Sequence, residues 1–136
     1  MVHPDISIAT SDSRRILKEQ VPLKTAIRQS GNLAGLITGM LRSDYKLIAS
    51  SLDDFIAEPE RAFLIPAYYN VKKAAIEAGA LGAGISGSGP SIFALSSDRK
   101  TAESAGKNMQ AVFRELRIDC EVYVSPVSRS GVRVVE

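Results

Sequence analysis

The chain has one cysteine, one histidine and no tryptophan in 136 residues. Cys120 alone cannot form an intrachain disulfide, and Cys120 with His3 is too small a ligand set for a zinc site. No histidine lies near Cys120 in sequence to activate it, so the thiol is read as a small buried hydrophobe. No apolar run approaches the roughly 18 residues that a membrane-spanning helix needs, and the polar, proline-containing start is unlike a signal peptide. The expectation is a soluble, cytoplasmic protein with no membrane partner. Charge of one sign is scarce too. Seventeen Lys+Arg stand against fifteen Asp+Glu, and a net +2 spread along the chain argues against nucleic acid as a partner.

What is present is ordinary globular composition, 45% hydrophobic and 24% charged, at a length that suits one domain over residues 1–136. Such a chain buries roughly two-thirds of the surface its unfolded form exposes, so it needs no covalent staples. No repeat, linker or low-complexity segment divides it.

Period-2 alternation at Ile6, Ile8 and Thr10 predicts a strand, and Ser11-Asp12 offers capping chemistry for a short helix over Arg14 to Leu17. From Leu23, the residues Ile27, Leu33, Leu36, Ile37, Met40 and Leu41 follow helical spacing. Gly31, Gly35 and Gly39 recur every fourth position, a pattern of close helix packing. Ser43-Asp44 caps a further short helix running through Leu52 and Phe55, and Pro66 opens another whose inward face is Val71, Ala74, Ala75 and Ala78, with Gly79 as its stop.

Residues 82–86 and 91–96 read as two strands joined by the turn Ser86-Gly-Ser-Gly-Pro90. Ser97-Asp98 opens a long amphipathic helix carrying Ala105, Met109, Val112 and Phe113. Alternation over 121–125 and over 132–135 predicts two closing strands. The order is that of an α+β, ferredoxin-like split βαβ with an antiparallel sheet. Two or three extra helices occupy its first crossover and a strand is appended at its C-terminal end.

Two features carry chemistry. In Gly82-Ala-Gly-Ile-Ser-Gly-Ser-Gly-Pro90, glycine allows positive φ and close approach of backbone N–H groups to an anion. No lysine follows, however, and the next element is a strand, so it is not a P-loop. A structural hairpin and a ligand-contacting loop both remain open on the pattern. Arginine suits a carboxylate or phosphate through its donor fork. Arg61 sits between the stiffening Pro59 and Pro66, and Arg14 begins the first short helix. A solvated surface charge is the plain alternative for either arginine, and Asp53-Asp54 reads as a solvated helix turn. The residue inventory offers no nucleophile, general base or metal site.

Taken together these segments resemble the C-terminal half of the homoserine kinases, within the GHMP family of small-molecule kinases. The resemblance rests on His3-Pro4, on Thr10 to Leu17, on Gly31-Asn-Leu-Ala34 and on Glu58-Pro-Glu-Arg-Ala-Phe-Leu-Ile-Pro66. It extends to Val71-Lys72, Ala78-Gly-Ala80 and Ile85-Ser-Gly-Ser-Gly-Pro-Ser-Ile-Phe-Ala-Leu95. The last of these is similar to the third GHMP motif.

The resemblance implies transfer of the ATP γ-phosphoryl group to the side-chain hydroxyl of L-homoserine, a step toward threonine. It also implies that Arg14 and Arg61 hold the substrate carboxylate, with Ser86, Gly87, Ser88 and Gly89 close to substrate and phosphate. Asn32 matches as well and is read as structural. The family's phosphate loop, of the form Pro-x-x-x-Gly-Leu-Gly-Ser-Ser, and its acidic residues have no counterpart here. The expectation is therefore an artificially truncated chain or a partial gene product, lacking the N-terminal ATP-binding domain. ATP and Mg²⁺ would serve the full-length enzyme, no cofactor is expected on this chain alone, and the isolated chain would be inactive, with a homodimer as one arrangement. The alternatives are another GHMP kinase acting on mevalonate or shikimate, a free-standing ferredoxin-like module that binds an amino acid for regulation, and a dimerisation domain.

Overall fold

Val2 and Pro4 are fully buried and His3 is exposed, an alternation that places the three-residue strand β1 (Val2–Pro4) over a core with one side to solvent. The computed structural model of the protein describes residues 1–128, 130–132 and 134. β1 lies inside a four-stranded sheet of order β2-β3-β1-β4, where β2 is Gly82–Ile85, β3 Ile92–Leu95 and β4 Cys120–Val122. Every neighbouring pair is antiparallel, so β1 and β2 run parallel with β3 between them, which is the split βαβ arrangement.

The strand expected over Ile6 to Thr10 is not formed. Asp5 adds one more rung, its N–H donating to the Asp119 carbonyl at 2.7 Å, and the chain then leaves the ladder as Ile6 N–H turns back to the Pro4 carbonyl at 2.8 Å. Ile6 and Ile8 still pack against the core, which explains their alternation without a ladder. Helix α1 (Thr10–Arg15) follows, with Ser11 and Asp12 inside it rather than capping it.

Helix α2 (Leu23–Arg42) turns back through Ser43, at φ 55°, into α3 (Tyr45–Ser51). Asp44 caps α3 by accepting from Leu47 N–H at 3.0 Å. The helix stops at Ser51, short of Phe55. Side chains would keep the two helices apart: a Cβ on Gly39 would lie 2.9 Å from Ile48 Cγ1 and 3.0 Å from the Ile48 backbone nitrogen. Gly31 differs, since nothing lies within 4 Å of its Cβ position. Because α2 meets α3 through its glycines, most of its large apolar residues, Leu23, Ile27, Leu33, Ile37, Met40 and Leu41, are exposed.

Helix α4 (Glu58–Arg61) and a 3₁₀ turn (Ala62–Leu64) lead into α5 (Tyr68–Glu77), which starts two residues after Pro66 because Ala67, at φ 52°, interrupts the helical path. Gly79, at φ 95°, closes it. Among the described residues, then, four helices precede the packed crossover helix rather than two or three. Helix α6 (Arg99–Glu115) is capped by Asp98 through Thr101 N–H at 2.9 Å. α5 and α6 cover one face of the sheet, joining Val71 and Ala75 to Ala105, Met109 and Phe113 in one core with Val2 and Ile92.

β4 is shorter and earlier than the strand expected over 121–125, and only the Met1–Tyr123 pair of hydrogen bonds carries its ladder further. The closing strand expected over 132–135 takes in 133 and 135, which lie outside the described residues. Cys120 is free and half-buried, and burial raises its thiol pKa above the ordinary value, which suits packing rather than nucleophilic chemistry. No helix among the described residues is long and apolar enough to cross a membrane.

Two glycines of one helix thus predict opposite responses. Gly39→Ala should lower stability by about 1–2 kcal/mol, overpacking outweighing the helix-propensity gain. Gly31→Ala should raise it by about 0.5–1 kcal/mol. Urea unfolding midpoints of the two variants check both signs.

Candidate functional site

The β2–β3 turn is closed by Ser86 N–H donating to the Ser91 carbonyl at 2.8 Å and by Gly89 N–H donating to the Ser86 carbonyl at 3.1 Å. Gly87 (φ 61°) and Gly89 (φ 85°) occupy left-handed backbone that a side chain would strain, so the glycines are requirements of this turn. The N–H groups of Gly87 and Ser88 find no acceptor among the described residues.

Three segments meet at this turn. Fully buried Ser13, on α1, donates its hydroxyl to the Ser88 carbonyl at 2.7 Å, and Thr10 Oγ1 lies 3.4 Å from Ser88 Oγ. Arg61, on α4, donates from Nη1 to the Gly87 carbonyl at 2.9 Å and from Nε to the Ser13 carbonyl at 3.2 Å. Lys18, just beyond α1, pairs with Glu60 at 2.6 Å and adds a second tie between α1 and α4. Arg61 therefore spends part of its fork on two backbone carbonyls and keeps further donors for an anion.

Arg14 follows Ser13 on α1, and its side chain is exposed with no hydrogen bond or ion pair among the described residues; its neighbour Arg15 pairs with Asp12 instead. Of the residues that the sequence singles out, Arg61 and the 86–89 turn are in direct contact. Arg14 is brought in by its helix and not by a contact of its own.

Beneath the turn lies a hollow of about 160 Å³, lined by Asp54, Glu58, Arg61, Gly84, Gly87 and Phe93 among others. Its acidic wall corrects the reading of Asp54 as solvated, whereas Asp53 is exposed. Asp54 Oδ1 accepts from the N–H groups of Ile56 and Ala57, at 2.8 and 2.9 Å, and Oδ2 from Glu58 N–H at 3.2 Å, which organises the start of α4. Buried Glu58 accepts from Lys72 Nζ at 2.7 Å, and Lys72 also reaches Asp53 at 3.1 Å.

Burial works against the Lys72 ammonium, yet its hydrogen bonds to Glu58 and Asp53 and their charges outweigh that, raising its pKa above the ordinary 10.5. Burial first, and then the Glu58 carboxylate, push the Tyr68 phenol up as well. The Tyr68 hydroxyl has no partner in hydrogen-bond geometry, so Glu58 acts on it through its charge. Asn32 donates to the Asp53 carbonyl at 2.8 Å, which agrees with a structural role.

Sequence reasoning did not single out Ser13, Thr10 or the Glu58–Lys72 pair. The usable signal was an Asp four residues before a Glu-Pro helix start, since a carboxylate there can reach successive N–H groups.

Lys72→Met leaves the Glu58 charge buried without its partner and should cost about 3 kcal/mol. Pairing it with Glu58→Gln should recover part of that in urea unfolding. Because the folded pKa of Lys72 lies above 10.5, the contribution of this pair is full below that pH and is lost as pH rises through the folded value. A stability titration to alkaline pH, with the double variant as control, reads that loss.

A family model described as "GHMP kinases C terminal" matches residues 36–115. The chain is 49% identical over 136 residues to the homoserine kinase of Chloroherpeton thalassium and 50% identical over 137 aligned positions to that of Chlorobium phaeobacteroides (strain BS1). Both matches cover 99% of this chain and 43% of the relative. It also superposes on the crystal structure of homoserine kinase from Cytophaga hutchinsonii with a TM-score of 0.91 at 48% identity, covering 93% of this chain and 40% of that one. The chain spans less than half the length of these relatives. The split βαβ sheet, the glycine turn held by Arg61 and the match over 36–115 agree, and the chain belongs to the family of GHMP kinase C-terminal domains.

Proposed function

We propose that the chain is the substrate-holding C-terminal part of a homoserine kinase, which transfers the γ-phosphoryl group of ATP to the side-chain hydroxyl of L-homoserine in the cytoplasm. The observation that carries this reading is the Arg61 guanidinium bonded to the Gly87 carbonyl, which sets a cationic fork against an anion-permissive turn. Identity near one half to homoserine kinases over 99% of the chain supports the choice of substrate.

In this reading Arg61 and Arg14 divide the labour. Arg61, half-buried and pinned by two carbonyls, fixes the position of the substrate carboxylate, and exposed Arg14 closes on it from α1. The turn Ser86 to Gly89 borders the reacting hydroxyl, and the free N–H groups of Gly87 and Ser88 face charge that develops there. Phosphoryl transfer depends chiefly on such positioning and charge stabilisation, so a domain without a nucleophile can still serve it.

ATP supplies the phosphoryl group. The residues of this chain do not fit a magnesium nucleotide: among the described residues no group of three or more His, Cys, Asp or Glu could hold a metal ion, and Asp54 and Glu58 are already committed to α4 and to Lys72. Nucleotide and metal belong to the rest of the relatives' length, and residues 1–136 form one domain of a two-domain kinase.

The longer enzyme carrying Arg61→Ala should lose about 100-fold in kcat/KM for homoserine, taking a lost charged hydrogen-bond pair as roughly 3 kcal/mol. Arg14→Ala should raise KM for homoserine while leaving Tm unchanged, since Arg14 holds nothing else in place. A change under twofold for Arg61→Ala removes it from the site. The 136-residue chain alone should show no homoserine-dependent ADP release in a coupled assay.

A further inference from the structure

The glycines that permit the β2–β3 turn also leave it loose, since Gly87 and Gly89 flank Ser88 and carry no Cβ to restrict their backbone. Gly87 is exposed, and among the described residues nothing lies within 4 Å of its Cβ position, so packing does not restrain that side. Ser88 is nevertheless held at both of its peptide groups. The preceding carbonyl, of Gly87, accepts from Arg61 Nη1 at 2.9 Å, and the carbonyl of Ser88 itself accepts from Ser13 Oγ at 2.7 Å. Fixing the planar units on either side of one residue fixes its φ and ψ.

The direction of the free N–H groups follows from these two bonds. In a trans peptide the carbonyl and the N–H point opposite ways, so the Arg61-bound carbonyl of Gly87 turns the Ser88 N–H away from α4. The Ser13-bound carbonyl of Ser88 keeps the next N–H, of Gly89, on the Ser86 carbonyl at 3.1 Å. Ser13 is fully buried, and its polar groups have separate tasks: the hydroxyl grips the turn, while the backbone carbonyl accepts from Arg61 Nε at 3.2 Å. The first task needs the side chain. The second survives any substitution that keeps α1 in place. The hydroxyl does not serve α1 itself, because it reaches a carbonyl 75 positions away rather than one a turn back in its own helix.

We propose that Ser13 is a positioning residue for phosphoryl transfer, its hydroxyl holding the Ser88 peptide so that the N–H groups of Gly87 and Ser88 face the charge that develops at the reacting hydroxyl. This rests on the reading of the chain as part of a homoserine kinase. Arg61 keeps its bond to the Ser13 carbonyl whatever the side chain, so the anchor of the substrate carboxylate does not depend on the hydroxyl. The two roles therefore separate: Arg61 sets where the substrate sits, and Ser13 sets how well the turn meets the transition state. Preorganised donors act because they need no reorganisation at the moment of reaction, and a glycine-flanked turn released at one peptide loses that advantage.

The test compares Ser13→Ala with the parent in the longer enzyme carrying this domain. For homoserine phosphorylation kcat should fall about tenfold, less than the roughly 100-fold cost of deleting a transition-state donor outright, while KM for homoserine stays within about twofold. Exchange of the Gly89 amide should accelerate about tenfold, with the amides of α5 and α6 unchanged. Ser13→Cys keeps the size of the side chain with a weaker donor, so it should fall between parent and Ser13→Ala, and it carries the same comparison if Ser13→Ala does not fold. Gly39→Ala loosens the contact between α2 and α3 rather than the turn, and should leave kcat and KM within about twofold. Unchanged kcat in Ser13→Ala overturns the proposal. A rise in KM at constant kcat does so too, as does a loss of kcat in Gly39→Ala as large as that in Ser13→Ala. A parent enzyme inactive on homoserine overturns the kinase reading instead, and the Gly89 exchange rate then decides the clamp by itself, an unchanged rate overturning it.

Discussion

The pairing of Val2 with both Ile92 and Val122 is the constraint on which the rest of the molecule hangs. β1 is only three residues long, yet it is the strand through which the β2–β3 hairpin and β4 belong to one sheet. Its antiparallel register against β3 sends the chain out of the sheet at the end where the glycine turn sits. α1 follows within a few residues, so Ser13 and Thr10 arrive beside Ser88. The site is a by-product of strand order: shifting β1 by one residue would turn Val2 to solvent and carry α1 away from the turn.

What the sheet brings together, buried charge then holds in orientation. α4 is a single short turn and could not persist on helix propensity. Asp54 accepts from the N–H groups of Ile56 and Ala57, which lead into α4, and of Glu58, its first residue, and Glu58 is locked against Lys72 from α5. Arg61 therefore leaves this turn in one direction, toward the Gly87 and Ser13 carbonyls. A guanidinium held in this way loses little freedom when it meets a carboxylate, which is the physical content of preorganisation.

Local chemistry was legible wherever a short-range rule decides. Asp44 and Asp98 cap the helices that they precede, Gly79 stops α5, and the Ser86 to Pro90 turn joins two strands. Legibility failed where a partner far away in sequence decides. Ile6 and Ile8 alternate as a strand does, but no strand among the described residues pairs with them. The apolar residues of α2 have helical spacing, but its packed face is the glycine face. Asp54 looks solvated until the backbone of residues 56–58 is folded around it. Arg61 stood out through its proline-flanked segment, and Ser13 did not, because a serine in a short helix carries no mark of burial.

The sequence by itself determined the class of fold and the glycine turn, because periodicity, capping and positive-φ requirements act within a few residues of chain, while its motifs carried the resemblance to the GHMP family. Only the tertiary structure decided which arginine is pinned and which is free, and that the Glu58–Lys72 pair sits behind the site. These follow from register and burial. Both are properties of surfaces brought together across 14 to 48 positions of sequence, and no local pattern encodes them.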